Sequence, residues 1–265
     1  LFGVSRPHGP CRCSLKRGIF HSNGPRCRPG SLCAILPFMA SIQDYGKTRV
    51  VLCKDERDLG RRAALDVARL MRSLLESQER VRIIFAAGES QMTFLDALAK
   101  ERELDWGRVI CFNMDEFCDV RMPEEFTCGH QLRVQLFERV KPARVCLLRH
   151  DPPDPEQEAR RFEDLIRQEG QMDILCQGIG TSGHLAFNEP HDVDFEDTRW
   201  VRVVDISEQS KRQLLEDPNF RQLGYIPGQG ITMTLPALLS ARSIFTIVPL
   251  GLKRSILTRL FEESS

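Results

Sequence analysis

No stretch of this 265-residue chain reaches the roughly 18 consecutive apolar residues that a membrane-crossing helix needs, so no membrane partner is expected. Neither sign of charge is in excess. There are 37 Lys and Arg against 37 Asp and Glu, which argues against a dedicated nucleic-acid binder, whose footprint is basic. No Cys-x-x-Cys occurs, the loop at 86–91 lacks the Gly-Lys-Ser/Thr ending of a Walker loop, and no helix-turn-helix is evident at either end. The composition, 42% apolar and 28% charged, is that of a globular protein and excludes a disordered chain, a collagen or a coiled coil.

The first 38 residues lack acid altogether. They hold six basic residues, four of the ten cysteines, five prolines and five glycines. So many breakers leave no periodic apolar face, and neither a stable helix nor a packed core is expected. The segment is too interrupted for an amphipathic transit peptide and has no apolar run followed by a cleavage site. Cys11, Cys13, Cys27 and Cys33 match no standard zinc spacing, and no metal is expected. Met39 reads as a natural start, with 1–38 a disordered or non-native extension and 39–265 the folded domain. The six later cysteines are scattered; Cys53, Cys111 and Cys176 sit in apolar runs as small hydrophobes, which fits a reducing cytoplasm.

From residue 48 onward, short apolar runs alternate with helical patterns. Strands are expected at 49–53, 81–86, 109–112, 145–148, 172–176, 200–204, 231–234 and 244–248. Helices are expected over 56–77, 91–100, 126–139, 155–169, from 207, over 235–239 and from 252. Continuous apolar strands alternating with helices predict an α/β fold: a doubly wound, mostly parallel sheet with helices on both faces, a Rossmann-like three-layer. Such sheets bind ligands at the carboxyl ends of their strands, so the loops after strands are the ones to read.

The loop at 178–190 reads GIGTSGHLAFNEP. Gly178, Gly180 and Gly183 spell G-x-G-x-x-G, but Pro190 stops any long helix, which disfavours a dinucleotide site. The glycines still allow close backbone approach to an anion. A histidine side chain can both donate and accept a proton, which suits His184 to acid–base work, and Glu189 is placed to fix its tautomer. Asp115 and Glu116 follow a buried strand directly, where a carboxylate with restricted water acts as a general base on a carbon acid. Gly88, Ser90 and the free amides of a helix start form an anion seat after the strand at 81–86.

Taken in order, GIGTSGHLAFNEP at 178–190, CFNMDEF at 111–117 and ITMTLPALLSARSIFTIVPLGLK at 231–253 resemble the glucosamine-6-phosphate deaminase (isomerase) family over about residues 48–260. The AFNEP ending is closer to the deaminases than to the related 6-phosphogluconolactonases. The resemblance implies conversion of an amino-sugar 6-phosphate into a ketose 6-phosphate and ammonia, with no cofactor and a small sugar phosphate as partner. It implies that Asp115 moves the proton between C2 and C1, that His184 with Glu189 opens the pyranose ring, and that Lys253, Arg212 and the 88–90 loop hold phosphate. Gly180 and Gly183 complete the substrate loop. Family members are commonly oligomeric, so a homo-oligomer is among the expectations.

Three departures mark a divergent member. Ser182 stands where the deaminases carry an acid two residues before the His, so the ring-opening relay is expected to lack one carboxylate. Glu89 replaces the second of two paired glycines, next to where a dianion would sit. The chain ends 12 residues past Lys253, so the family's last helix and strand are expected to be missing. The alternatives on the same fold are a lactone hydrolase and a non-catalytic sugar-phosphate sensor.

Overall fold

The computed structural model describes residues 2–5, 41–216, 218–249 and 251–262. Among them the strands are β1 (Phe2–Ser5), β2 (Ser41–Tyr45), β3 (Thr48–Leu52), β4 (Val81–Phe85), β5 (Val109–Asn113), β6 (Asp115–Cys118), β7 (Arg144–Cys146), β8 (Ile174–Gln177), β9 (Val201–Asp205), β10 (Gln229–Met233) and β11 (Ser243–Thr246). The helices are α1 (Glu56–Ser77), α2 (Met92–Leu98), α3 (Cys128–Leu132), α4 (Glu138–Val140), α5 (Pro155–Glu169), α6 (Glu208–Leu215), α7 (Pro218–Leu223), α8 (Leu235–Leu239) and α9 (Arg254–Glu262). A π-turn over Arg133–Phe137 joins α3 to α4.

Local chemistry sets these boundaries. Asp55 caps α1 by accepting from the Asp58 amide, and Asp154 caps α5 by accepting from the Glu156 and Gln157 amides, with Pro155 in the first turn. Gly170, at φ +83°, ends α5 in a backbone conformation that a side chain would strain. Ser207 caps α6 through the Ser210 amide.

The main sheet runs β2-β3-β1-β11-β8-β4-β5-β7. Its five strands β11, β8, β4, β5 and β7 are parallel, as expected, while β1, β2 and β3 form an antiparallel margin. Alternate side chains of β4 feed opposite cores. Ile83 and Phe85 pack with Leu59, Val67 and Met71 of α1 and Phe94 of α2, whereas Ile84 packs with Phe112, Phe162 and Ile166.

Two findings go beyond the expectation of one sheet. β6, β10 and β9 form a separate antiparallel sheet, with Asp115 opposite Thr232 and Glu116 opposite Ile231. The runs at 200–204 and 231–234 therefore belong to this smaller sheet. Phe117, Met122, Ile206 and Phe220 give it a core of its own. At the amino end, where the breakers predict no packed element, Phe2–Ser5 pairs with β3 and β11. Residues 6–38, with the four cysteines read as non-metal, lie outside the described residues. Cys53, Cys111 and Cys176 are free thiols, the last two buried.

The contact between α1 and α2 depends on Gly60, where an added Cβ would lie 2.6 Å from the carbonyl carbon of Thr93. Backbone cannot yield as a flexible side chain can. Gly60→Ala is expected to force the two helices apart and cost about 1–3 kcal/mol, read as a lower urea midpoint with an unchanged m-value.

Candidate active site

The strands β4, β5 and β8 end on one edge of the main sheet, and their following loops enclose a cleft of about 670 Å³. Gly88, Ser90, Asp115, Gly180, His184, Arg212 and Lys253 all line it, seven of the nine residues nominated from the sequence. Glu189 and Gly183 stand behind the wall. Gln209, Gln213 and Glu216 of α6 and its following turn, together with Thr181, add further polar lining.

Asp115 opens β6 directly after β5. The buried Asn113 fixes the bend: its Nδ2 donates to the Asp115 carbonyl (3.0 Å) and its Oδ1 accepts from the Leu148 amide (3.0 Å). Strand alternation turns Asp115 to the cleft and Glu116 away from it. Among the described residues nothing hydrogen-bonds the Asp115 carboxyl, and burial pushes its pKa up to about 7. Burial also lifts Glu116 to about 8, against three backbone amides that favour its charged form.

The 178–190 loop folds back on itself. The Gly180 amide donates to the His184 carbonyl (2.8 Å), and the Gly183 amide, at φ +95°, donates to the Gly180 carbonyl (3.1 Å). A Cβ on Gly180 would sit 2.2 Å from the imidazole, so the ring rests on bare backbone. The loop is tied to the small sheet by Asn188, whose Nδ2 donates to the Met233 carbonyl (2.8 Å), and by Phe187, whose ring packs where Gly230 has no side chain.

Glu189 gathers four partners. Ser182 Oγ donates to Oε2 (2.7 Å), Ser207 Oγ and Ser210 Oγ donate to Oε1 (2.6 and 2.7 Å), and His184 Nδ1 lies 3.3 Å from Oε1. His184, then the three seryl hydroxyls, hold this carboxyl well below the usual range. A hydroxyl has one proton, and that of Ser182 goes to Glu189. Its oxygen, 2.9 Å from His184 Nδ1, can then only accept. The proton of the neutral ring is thereby fixed on Nδ1, leaving Nε2 as the basic nitrogen. The departure at Ser182 thus keeps the link between His184 and Glu189, with a hydroxyl as the bridge.

The opposite end of the cleft is cationic. Lys253 is only 5% exposed and its Nζ meets the neutral Gln213 Oε1 at 3.2 Å; burial lowers its pKa to about 8. Gln213 Oε1 also accepts from the amide and hydroxyl of Thr181 (3.3 and 2.9 Å). Ser90 Oγ accepts from Gln91 Nε2 (3.0 Å), which leaves its own proton for the cleft. One expectation needs correcting here. The Gly88 amide is not free, because it donates to Gln131 Oε1 (2.8 Å) from α3. Glu89 is exposed and also lines the cleft. Among the described residues no group of three or more His, Cys, Asp or Glu is arranged to hold a metal ion.

The sequence reading missed Ser207, Ser210 and Gln213, which act from α6. The signal was present: positions 209, 212, 213 and 216 share one helical stripe, and 207 and 210 another. It lacked a partner until the fold placed α6 across the cleft from the 178–190 loop.

Comparison with known proteins gives a consistent result. Residues 54–265 match the family model described as glucosamine-6-phosphate isomerases/6-phosphogluconolactonase. A glucosamine-6-phosphate deaminase of Exiguobacterium sp. is 31% identical over 148 residues, 56% of each chain. One from Shouchella clausii is 26% identical over 204 residues, 75% of this chain and 79% of that protein. Glucosamine-6-phosphate deaminase 2 of Bacillus subtilis is 37% identical over 108 residues, 40% of this chain and 42% of that protein. The matched stretch is thus about half of two of these relatives. Among solved structures, a monomeric glucosamine-6-phosphate deaminase superimposes with a TM-score of 0.70 at 24% identity, covering 79% of this chain and 86% of that one. A 6-phosphogluconolactonase from Thermotoga maritima gives 0.61 at 20% identity, covering 77% and 86%. The chain belongs to the glucosamine-6-phosphate isomerase/6-phosphogluconolactonase family.

Proposed function

We propose that the protein isomerises and deaminates an amino-sugar 6-phosphate, taking up water and releasing a ketose 6-phosphate and ammonia. The observation that carries this reading is one cleft holding a carboxyl tuned near neutrality, an oriented imidazole and a buried ammonium. His184 Nε2 takes the proton of the anomeric hydroxyl and returns one to the ring oxygen, opening the pyranose. Asp115 then removes the C2 proton of the open chain and delivers it to C1. A carboxyl with a pKa about 7 is poised for both directions of that transfer. Water adds at C2 of the resulting imine, and the amine departs protonated.

Lys253, Arg212 and the Ser90 hydroxyl are the proposed phosphate ligands, with Gln213 holding Lys253 without neutralising it. Glu89 sits on the exposed rim of the same cleft, where water screens its charge from a bound dianion.

Incubation with a panel of 2-amino-2-deoxyhexose 6-phosphates is expected to release ammonia, and Asp115→Asn to abolish it. Hydrolysis of 6-phosphogluconolactone that survives Asp115→Asn, with no ammonia from any amino sugar, would replace this reading by a lactonase.

The same variant has a stability signature. Folded Asp115 keeps its proton up to about pH 7, whereas an unfolded aspartate loses it near 4. The folded state binds more protons in that window, so wild-type stability falls as pH rises through it and stays reduced above. Asp115→Asn is expected to be more stable than wild type above pH 7, by about 1–3 kcal/mol and read as a higher melting temperature, and to lose the advantage near pH 4.

Lys253 supplies its charge only while protonated. Calorimetric affinity for inorganic phosphate is expected to weaken as pH rises through about 8, and Lys253→Met to remove that dependence along with most of the binding.

A further inference from the structure

Proton transfer by Asp115 leaves its neighbour Glu116 without a task. Yet Glu116 is only 1% exposed, and a carboxyl is buried at a cost unless its oxygens are satisfied. They are satisfied by backbone. Oε1 accepts from the amides of Phe117 and Cys128 (both 3.0 Å), and Oε2 from that of Gly129 (2.7 Å). Gly129 leaves room for this: a Cβ there would stand 3.3 Å from Oε2. Glu116 thereby fastens the start of α3 to the strand that carries Asp115.

The same short helix carries Gln131. Its Oε1 accepts from the Gly88 amide (2.8 Å), and its Nε2 donates to Met92 Sδ (3.1 Å). The Gly88 amide is a donor, so the orientation of the Gln131 side chain is fixed. Gly88, at φ +98°, opens the 3-10 turn Glu89–Gln91 that bears Ser90.

We propose that Glu116 and Gln131 are positioning residues, joined through α3 into one hydrogen-bonded strut that holds the Gly88 loop in register with Asp115. The strut spans the two ends of the cleft. A loop displaced by about an ångström would carry the sugar's C1 and C2 out of line with the Asp115 carboxyl. Naming the ends as phosphate seat and proton-transfer site rests on the deaminase reading. The strut itself is a property of the unliganded protein.

Amide hydrogen exchange at Gly88, followed by NMR on the unliganded full chain, tests it without turnover. Gln131→Met removes the acceptor at similar length and is expected to speed exchange about five- to tenfold, the worth of one hydrogen bond. Glu116→Gln does not touch Gly88, yet it is expected to speed the same amide by at least about threefold. Gln131→Glu, whose carboxylate accepts the same bond, is expected to restore protection. Exchange at Ile83 in β4 should stay at the wild-type rate in all three, which separates the strut from general loosening. In the ammonia assay, Gln131→Met is expected to raise KM more than it lowers kcat, and Glu116→Gln the reverse. Wild-type protection of Gly88 in Glu116→Gln, or failure of Gln131→Glu to restore it, overturns the strut. A wild-type chain that releases no ammonia overturns the deaminase reading, and the exchange rates still decide the strut.

Discussion

Parallel strands oblige every loop that follows them to emerge on the same edge of the sheet, and the cleft is a consequence of that constraint. β4 delivers the Gly88 loop, β5 delivers Asp115 and β8 delivers the 178–190 loop, with no long connection needed to bring them together. The buried side chains Ile83, Ile84, Phe85, Ile110 and Phe112 hold the three strands in register below. The chemistry above can then be precise because its foundation is packed backbone.

On this foundation two carboxyl groups are driven in opposite directions by their surroundings. Asp115 is buried and, among the described residues, meets no hydrogen-bond donor, which favours its proton. Glu189 is ringed by an imidazole and three hydroxyls, which favour its charge. The same acidic group is thus held toward its protonated form in one place and toward its charged form in another. The assignment of roles follows from environment, and neither environment is visible in the residue itself.

Much of this was legible in the chain. The apolar stripe of α1, the Pro at the start of α5 and the short runs of β4 and β5 all appear where periodicity and breakers put them. Seven nominated residues line the cleft; six of them lay directly after a strand or in a quoted motif, and Arg212 came from the family resemblance. The small sheet was not legible as a sheet. Asp115–Cys118 reads DEFC, too polar and too short to stand out as β6, and its pairing to β10 spans over a hundred residues. The serines around Glu189 escaped for a similar reason. A serine gains meaning only from its partner, and Ser207 and Ser210 find theirs through the tertiary fold. Gln131 is the plainest case: nothing about a glutamine in a helix announces that it caps an amide 43 residues upstream.

The helix α6 presents both of its stripes to the site at once. Ser210, with the capping Ser207, grips Glu189, while Gln209, Arg212 and Gln213 face the cleft. Successive residues on a helix are offset by about 100°, so the two stripes share a single phase. Inserting or deleting one residue before Ser210 would rotate both together, releasing Glu189 from Ser210 and carrying Arg212 and Gln213 away from Lys253 in one event. Tolerance for change in this helix is therefore a matter of substitution alone, and its length behaves as an invariant of the site.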